Sequence, residues 1–283
     1  MVPAPLRKTD SWESNGVNDS RSFKKYLFMG IKTEDSNLSV GIKLGACASI
    51  RRSVMFGFFW WAVFPYICGT ILIVASFYRF VFRGRSWHAP STEIFEKKWL
   101  KVGSNVFHYG IIFALIGHLM GVLIPIEVYE AMGVSDHLYH VFAIAGGGLA
   151  GLMVVLGLVI LLIRKATNPR VSIHASFGDY FTLILLLIVA GLGTYMTLVY
   201  NTTVVAYEYR LTIGPWFRSL FTFQPNYELM LSVPFLFQLH VVISFLLFAS
   251  IPFTQLVHMF SFPARYPARA PQQYRARDGY KNN

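Results

Sequence analysis

SNVFHYGIIFALIGHLMG (residues 104–121) and FLFQLHVVISFLLFASIPFTQLVHMFSFP (235–263) decide how this chain reads. Both are apolar and long enough to belong to membrane spans. Each carries two histidines: His108 and His118 in the first, His240 and His258 in the second. An ionisable side chain inside a span is costly and marks a functional site. Neutral imidazole suits iron, and a b-type haem held without a thioether link takes two axial ligands. Two histidines on each of two helices are the set that two bis-histidine haems require. The competing reading is four unrelated core histidines, bonded to backbone carbonyls or lining a proton path.

The composition agrees with a membrane setting. Of 283 residues, 54% are hydrophobic and 14% charged, against about 25% charged in an average soluble domain. The net charge of +11 could suggest nucleic acid. In a membrane protein, however, a basic excess reflects flanks that face anionic lipid, so no nucleic-acid partner is expected. The two cysteines, Cys47 and Cys68, form no CxxC, which argues against c-type haem, a zinc ribbon or a protein-held iron–sulfur cluster.

A span needs about 20 mostly apolar residues. Five stretches qualify: 55–80, 103–124, 138–163, 178–201 and 231–260. The fold class is therefore an all-α membrane protein with five transmembrane helices. Between the spans the charge alternates. Arg83, Arg85, Lys97, Lys98 and Lys101 fall in 81–102, and Arg164, Lys165 and Arg170 in 164–177. Residues 125–137 hold Glu127, Glu130 and Asp136 with no basic residue, and 202–230 hold only Arg210 and Arg218. The positive-inside rule then puts the N-terminus out and the C-terminus in. A basic cytoplasmic tail covers 264–283.

Residues 1–54 contradict that orientation. They carry nine Lys or Arg, including Arg51 and Arg52, yet fall outside. They are polar, lack a signal-peptide apolar region, and read as a disordered extension or one absent from the native protein. A chain beginning at Met55 would obey the charge rule throughout. Arg51-Arg52 only faintly resembles a twin-arginine export signal. Residues 86–101 (SWHAPSTEIFEKKWLK) suggest a short amphipathic surface helix, capped by Ser91 or Thr92, with Trp87 and Trp99 at the interface.

Topology also pairs the histidines. The second span runs inside to outside and the fifth outside to inside. His108 then lies level with His258 near the cytoplasm, and His118 level with His240 nearer the outer face. His108 and His118 are about 15 Å apart in rise, and His240 and His258 about 27 Å. Eighteen residues are five whole turns, so a continuous fifth helix would put His240 and His258 on one face. Ten residues miss a whole number of turns by about 80°, so the second helix must tilt or receive its two partners from different directions.

The two histidine motifs, together with PYICG (65–69) and NPRV (168–171), resemble the gamma subunit of membrane-bound respiratory nitrate reductase, a five-span dihaem cytochrome b. The likeness covers roughly residues 55–265 and defines a dihaem domain over 55–263. It implies that His108 and His258 hold an inner haem and His118 and His240 an outer one. Quinol is then oxidised near the outer haem. Electrons leave on the cytoplasmic side of a prokaryotic inner membrane, to an iron–sulfur subunit that feeds a molybdopterin catalytic subunit. Better-known members of that family have a lysine near the start of the third span, beside the quinol site. Here the stretch is DHLYHVF (136–142). His137, Tyr139 or His140 could replace the lysine, with Gly117 beside His118 completing the quinol site. All three also suit an interface.

Other features have structural readings at least as good. Gly117 and Gly121 form a small-xxx-small pair that suits helix packing or clearance for a macrocycle. Gly146, Gly147, Gly148 and Gly151 allow close backbone approach. Arg83, Arg85 and Arg170 could pair with haem propionates or simply anchor the cytoplasmic face. Glu127 and Glu130 could take quinol protons or be solvated loop carboxylates. Two other functions remain. One is a dihaem subunit of a nitrite-oxidising or sulfur-compound oxidoreductase. The other is a cofactor-free proton-coupled transporter or anchor, against which the absence of repeats argues weakly.

Overall fold

A computed structural model describes residues 55–83, 92–204 and 207–260. Those residues are helical, with no strand among them. Five helices are long and apolar enough to cross a membrane: span 1 Met55–Phe82, span 2 Lys98–Leu123, span 3 Asp136–Thr167, span 4 Phe177–Thr203 and span 5 Phe235–Phe253. The extension 1–54, the tail 264–283 and the candidates Arg85, Trp87 and Ser91 lie outside the described residues.

Local chemistry sets the ends of these helices. Ser135 caps span 3 by accepting from Leu138 N. Ser176 and Asp179 form a capping box at the start of span 4, with Ser176 N donating to Asp179 Oδ2 at 3.0 Å. Both devices satisfy amides that have no intrahelical partner. Pro234 precedes span 5 and its carbonyl accepts from Phe237 and Gln238. In span 1, Pro65 has no N–H to offer the Trp61 carbonyl four residues back. That carbonyl instead accepts from the indole of Trp216 at 2.8 Å. Trp216 is fully buried and meets Trp61 edge to face. Between spans 4 and 5, the helix Ile213–Phe221 that bears Trp216 is thereby fixed to span 1.

The tightest seam joins spans 2 and 3. A Cβ on Gly110 would fall 2.8 Å from Val154 N, and one on Gly157 would fall 2.5 Å from Phe107 N. The two backbones touch because neither residue has a side chain, as small residues permit between membrane helices. Span 5 packs against spans 1 and 4. The two histidine-bearing helices therefore face each other from opposite sides of the bundle.

Two expectations fail. Residues 92–97 do not form a surface helix; 93–95 are a turn, and Trp99 is already in the helix of span 2. Arg164 holds the turn by donating to both side chain and carbonyl of Thr92 and of Glu96, at 2.7–3.1 Å. Those four bonds replace the backbone ladder. The fifth span is also not one helix from 231 to 260. Its α-helix ends at Ser250, a 3-10 turn covers Ile251–Phe253, Thr254 is extended, and a second 3-10 segment covers Gln255–Phe260. His258 thus leaves the helix of His240, and counting five whole turns between them does not apply.

Candidate functional site

The structure nevertheless brings the four histidines together in two pairs. The ring centres of His108 and His258 are 6.2 Å apart, with an interplanar angle of 62°. Those of His118 and His240 are also 6.2 Å apart, at 22°. A direct N–H···N bond of about 2.9 Å would bring the centres to about 5.1 Å. Two imidazoles on one metal, each bonded at about 2 Å with the ring centre about 1.1 Å behind its nitrogen, give about 6.2 Å. The spacing is that of two rings sharing an atom between them.

The other ring nitrogens fix the tautomers. Nδ1 of His108 lies 2.7 Å from Ser104 O, Nδ1 of His118 2.7 Å from Ala114 O, and Nδ1 of His258 2.6 Å from Gln255 O. A carbonyl only accepts, so each Nδ1 carries the proton and each Nε2 keeps its lone pair. This is the usual orientation device for a metal-bound imidazole. His240 differs. Its Nδ1 is buried and faces the Val189 backbone of span 4 without completing a hydrogen bond. Gly193 lies against the same ring: a Cβ there would sit 3.2 Å from Cε1. Donor type and spacing, and the tautomer of three of the four rings, fit two bis-histidine haem irons. Among the described residues there is no group of three or more His, Cys, Asp or Glu that could hold a bare metal ion.

Beyond the His118–His240 pair sits a polar cluster whose Glu208–Arg210 centre sequence reasoning missed. Arg210, with its side chain 1% exposed, donates to Glu208 Oε1 at 2.6 Å, to Glu208 Oε2 at 2.8 Å and to Asp136 Oδ1 at 3.0 Å. Its guanidinium lies 3.9 Å from the centre of the Tyr139 ring. Glu208 Oε2 also meets His140 Nε2 at 2.8 Å. Burial would raise the Glu208 pKa, but Arg210 and His140 outweigh it and hold the carboxyl below its ordinary value. Hydrogen bonding to Glu208 in turn raises that of Arg210, and burial pushes the Tyr209 phenol far up.

The cluster is tied to the end of span 2 beyond His118. After His118 the helix widens into a π segment, Leu119–Leu123, a form common beside functional sites. Its loosened carbonyls find partners: Tyr129 Oη donates to Met120 O, and Arg218 to Val122 O, both at 2.9 Å. Tyr139 and Tyr209 hydroxyls meet at 3.0 Å, and both lie where a Cβ on Gly121 would be.

The quinol candidates separate. Tyr139 and His140 belong to this cluster, His137 is exposed beside it, and Gly117 has nothing within 4 Å of where a Cβ would point. The Gly117–Gly121 pair is therefore no helix-packing motif: Gly121 admits two tyrosines and Gly117 faces open space. Of the loop acids, Glu127 and Glu130 join none of the ion pairs found among the described residues. Glu208 and Arg210 could not be singled out because their partners lie about 70 residues away. The only sequence hint was the alternation Glu208-Tyr209-Arg210 in a segment, 202–230, with few charges.

The chain matches the family described as nitrate reductase gamma subunit over residues 57–277. It is 42% identical over 217 residues to the nitrate reductase gamma chain of Bacillus subtilis, covering 77% of this chain and 97% of that one. It is 32% identical over 220 residues to the respiratory nitrate reductase 1 gamma chain of Escherichia coli, again covering 77% and 97%. A more distant relative is the Hdr-like menaquinol oxidoreductase cytochrome b-like subunit of Archaeoglobus fulgidus, 26% identical over 224 residues, covering 77% of this chain and 63% of that one.

Proposed function

The chain belongs to the nitrate reductase gamma-subunit family, and we propose that it is the membrane cytochrome b subunit of a respiratory nitrate reductase, oxidising quinol near the outer face. The observation that carries this reading is the equal 6.2 Å separation of two histidine pairs at two levels of the bundle. Two b-type haems, when bound, supply one-electron carriers that span the distance from the outer level to the inner. His118 and His240 hold the outer one and His108 and His258 the inner one. The Nδ1 bonds of His108, His118 and His258 orient those rings and keep Nε2 free to ligate.

Quinol docks beside the outer pair, near Gly117, His137, Tyr139 and His140. Its oxidation releases two protons and two electrons. The His140–Glu208 pair is suited to take a proton there, because its exposure of about a quarter to a third gives it contact with water. The basic inner segments put the N-terminus outside and the C-terminus inside the cytoplasmic membrane of a prokaryote. Electrons leave at that inner level to an iron–sulfur subunit and from it to a molybdopterin catalytic subunit. This chain contributes no nitrate chemistry of its own. The likeness to the archaeal menaquinol oxidoreductase subunit favours a second reading, the same quinol-to-haem path serving a different terminal partner.

A reduced-minus-oxidised visible spectrum and a pyridine haemochrome assay of the purified chain test the proposal. Two b haems per chain are expected. A value of none overturns the reading and leaves four histidines in some proton-conducting role. Quinol-driven reduction of the haems in membrane vesicles tests the substrate, and reduction by dithionite but not by quinol would reject it.

A further inference from the structure

Span 1 carries one arginine, Arg79, in its last turn, and no part of the proposed electron path uses it. Its Nη1 donates to Pro252 O at 2.6 Å and to Thr254 O at 3.0 Å. These carbonyls belong to the break where span 5 stops being a helix. Pro252 and Thr254 are both buried, so their carbonyls have no water to turn to. A buried carbonyl without a donor is costly. The C-terminal end of a helix also carries partial negative charge, which a cation at the last turn offsets. One guanidinium supplies both terms, and this accounts for a charge inside a span that would otherwise be expensive.

The break sets the course of the chain that leads to His258. Thr254 Oγ1 accepts from Leu256 N at 3.4 Å and so starts the 3-10 segment Gln255–Phe260. Val257, fully buried, anchors that segment, and Gln255 O receives His258 Nδ1. His258 is thus set six residues beyond Pro252 on a segment whose direction is defined at the two carbonyls that Arg79 holds. His108, opposite, is set by a regular helix. We propose that Arg79 is the positioning residue of the inner centre: by clamping the Pro252 and Thr254 carbonyls, it turns the chain so that the His258 ring meets His108. The inference rests on the dihaem reading above, and it assigns Arg79 no contact with haem or quinol.

The test compares Arg79→Met and Arg79→Lys in the full chain, in membranes. Haem content is measured together with the low-spin electron paramagnetic resonance signal of each haem, which reports axial ligand geometry whether or not the protein turns over. In Arg79→Met the inner signal should disappear or shift, with haem content falling from two towards one, while the outer signal stays. Arg79→Lys keeps one cation but not the planar fork, so it should retain two haems with a shifted inner signal. Unchanged inner signals in both variants would overturn the proposal. Equal disturbance of both signals, or failure of both variants to accumulate, would also overturn it, because Arg79 would then support the whole fold. If only Arg79→Met fails to accumulate, the inner signal of Arg79→Lys decides. Absence of haem in the unsubstituted chain would reject the dihaem reading, and this inference with it.

Discussion

The two histidine pairs, inner (His108, His258) and outer (His118, His240) in the proposed orientation, have the same ring separation but are built differently. His118 and His240 both sit on spanning helices, and span 4 presses Gly193 and the Val189 backbone against the His240 ring. His108 sits on a helix, but His258 sits on a 3-10 segment beyond a break. The outer pair is located by helix packing, and the inner by hydrogen bonds that hold a non-helical turn. The polar surroundings differ too. Towards the His118–His240 end, one arginine gathers Glu208, Asp136 and Tyr139. Towards the other end, Arg164 braces the 92–97 turn, and Lys165 pairs with Asp179 at 3.0 Å. The same spacing is reached by unequal means at the two ends, as the proposed dihaem reading requires.

The largest effect should come from removing a ligand. His118→Ala or His240→Ala should each delete the same spectral component and abolish quinol oxidation, while His108→Ala or His258→Ala deletes the other; redox titration of the four variants checks this. If His108 and His118 vanish together, the two-level scheme is wrong.

Removing Arg210 comes next. Arg210→Ala leaves the partly buried Glu208 carboxylate without its main partner; breaking a fully buried pair costs about 3–5 kcal/mol, and the one-quarter exposure of Glu208 brings the cost below that. Thermal melting should drop, and quinol-analogue binding should weaken, with the inner haem signal unchanged. An unchanged melting temperature would show that the outer cluster is not a structural unit.

Gly193→Ala is a finer probe of packing at the outer level. The new methyl would sit 3.2 Å from His240 Cε1, and overpacking of that kind costs about 1–3 kcal/mol. The outer haem signal should shift and the inner should not. A shift confined to the inner signal would contradict the assignment of levels.

The smallest effect is one of pH. The Glu208 pKa is lowered from the ordinary 4.5 in the folded chain. Its stabilising contribution is therefore complete above about pH 4.5 and lost as pH falls through the folded value. Glu208→Gln should lower stability across the neutral range, where that contribution is complete, and flatten the acid limb, so that the two proteins converge at low pH. Melting curves at stepped pH read this directly, and an identical acid limb in both proteins would remove Glu208 from the account.

Much of this was legible in the residues. Apolar runs of span length located five helices to within a few residues at most ends, because the bilayer demands a backbone satisfied within its own segment. The level of each histidine followed from alternating helix direction, which needs only the number of spans. What the pattern could not give was the end of span 5. Its apolar character continues through Val257, yet Pro252 and the buried carbonyls around it are resolved by Arg79, 173 residues earlier. The Glu208–Arg210 cluster was hidden for the same reason: its partners come from span 3, and nothing local to 207–211 announces them. Sequence alone determined the number of spans and the level of each histidine, since both depend on local hydrophobicity and chain direction. Tertiary structure alone decided how His258 is turned, how spans 2 and 3 come into backbone contact, and where the buried charges find partners. Those depend on groups far apart in the chain that meet only after the helices have packed.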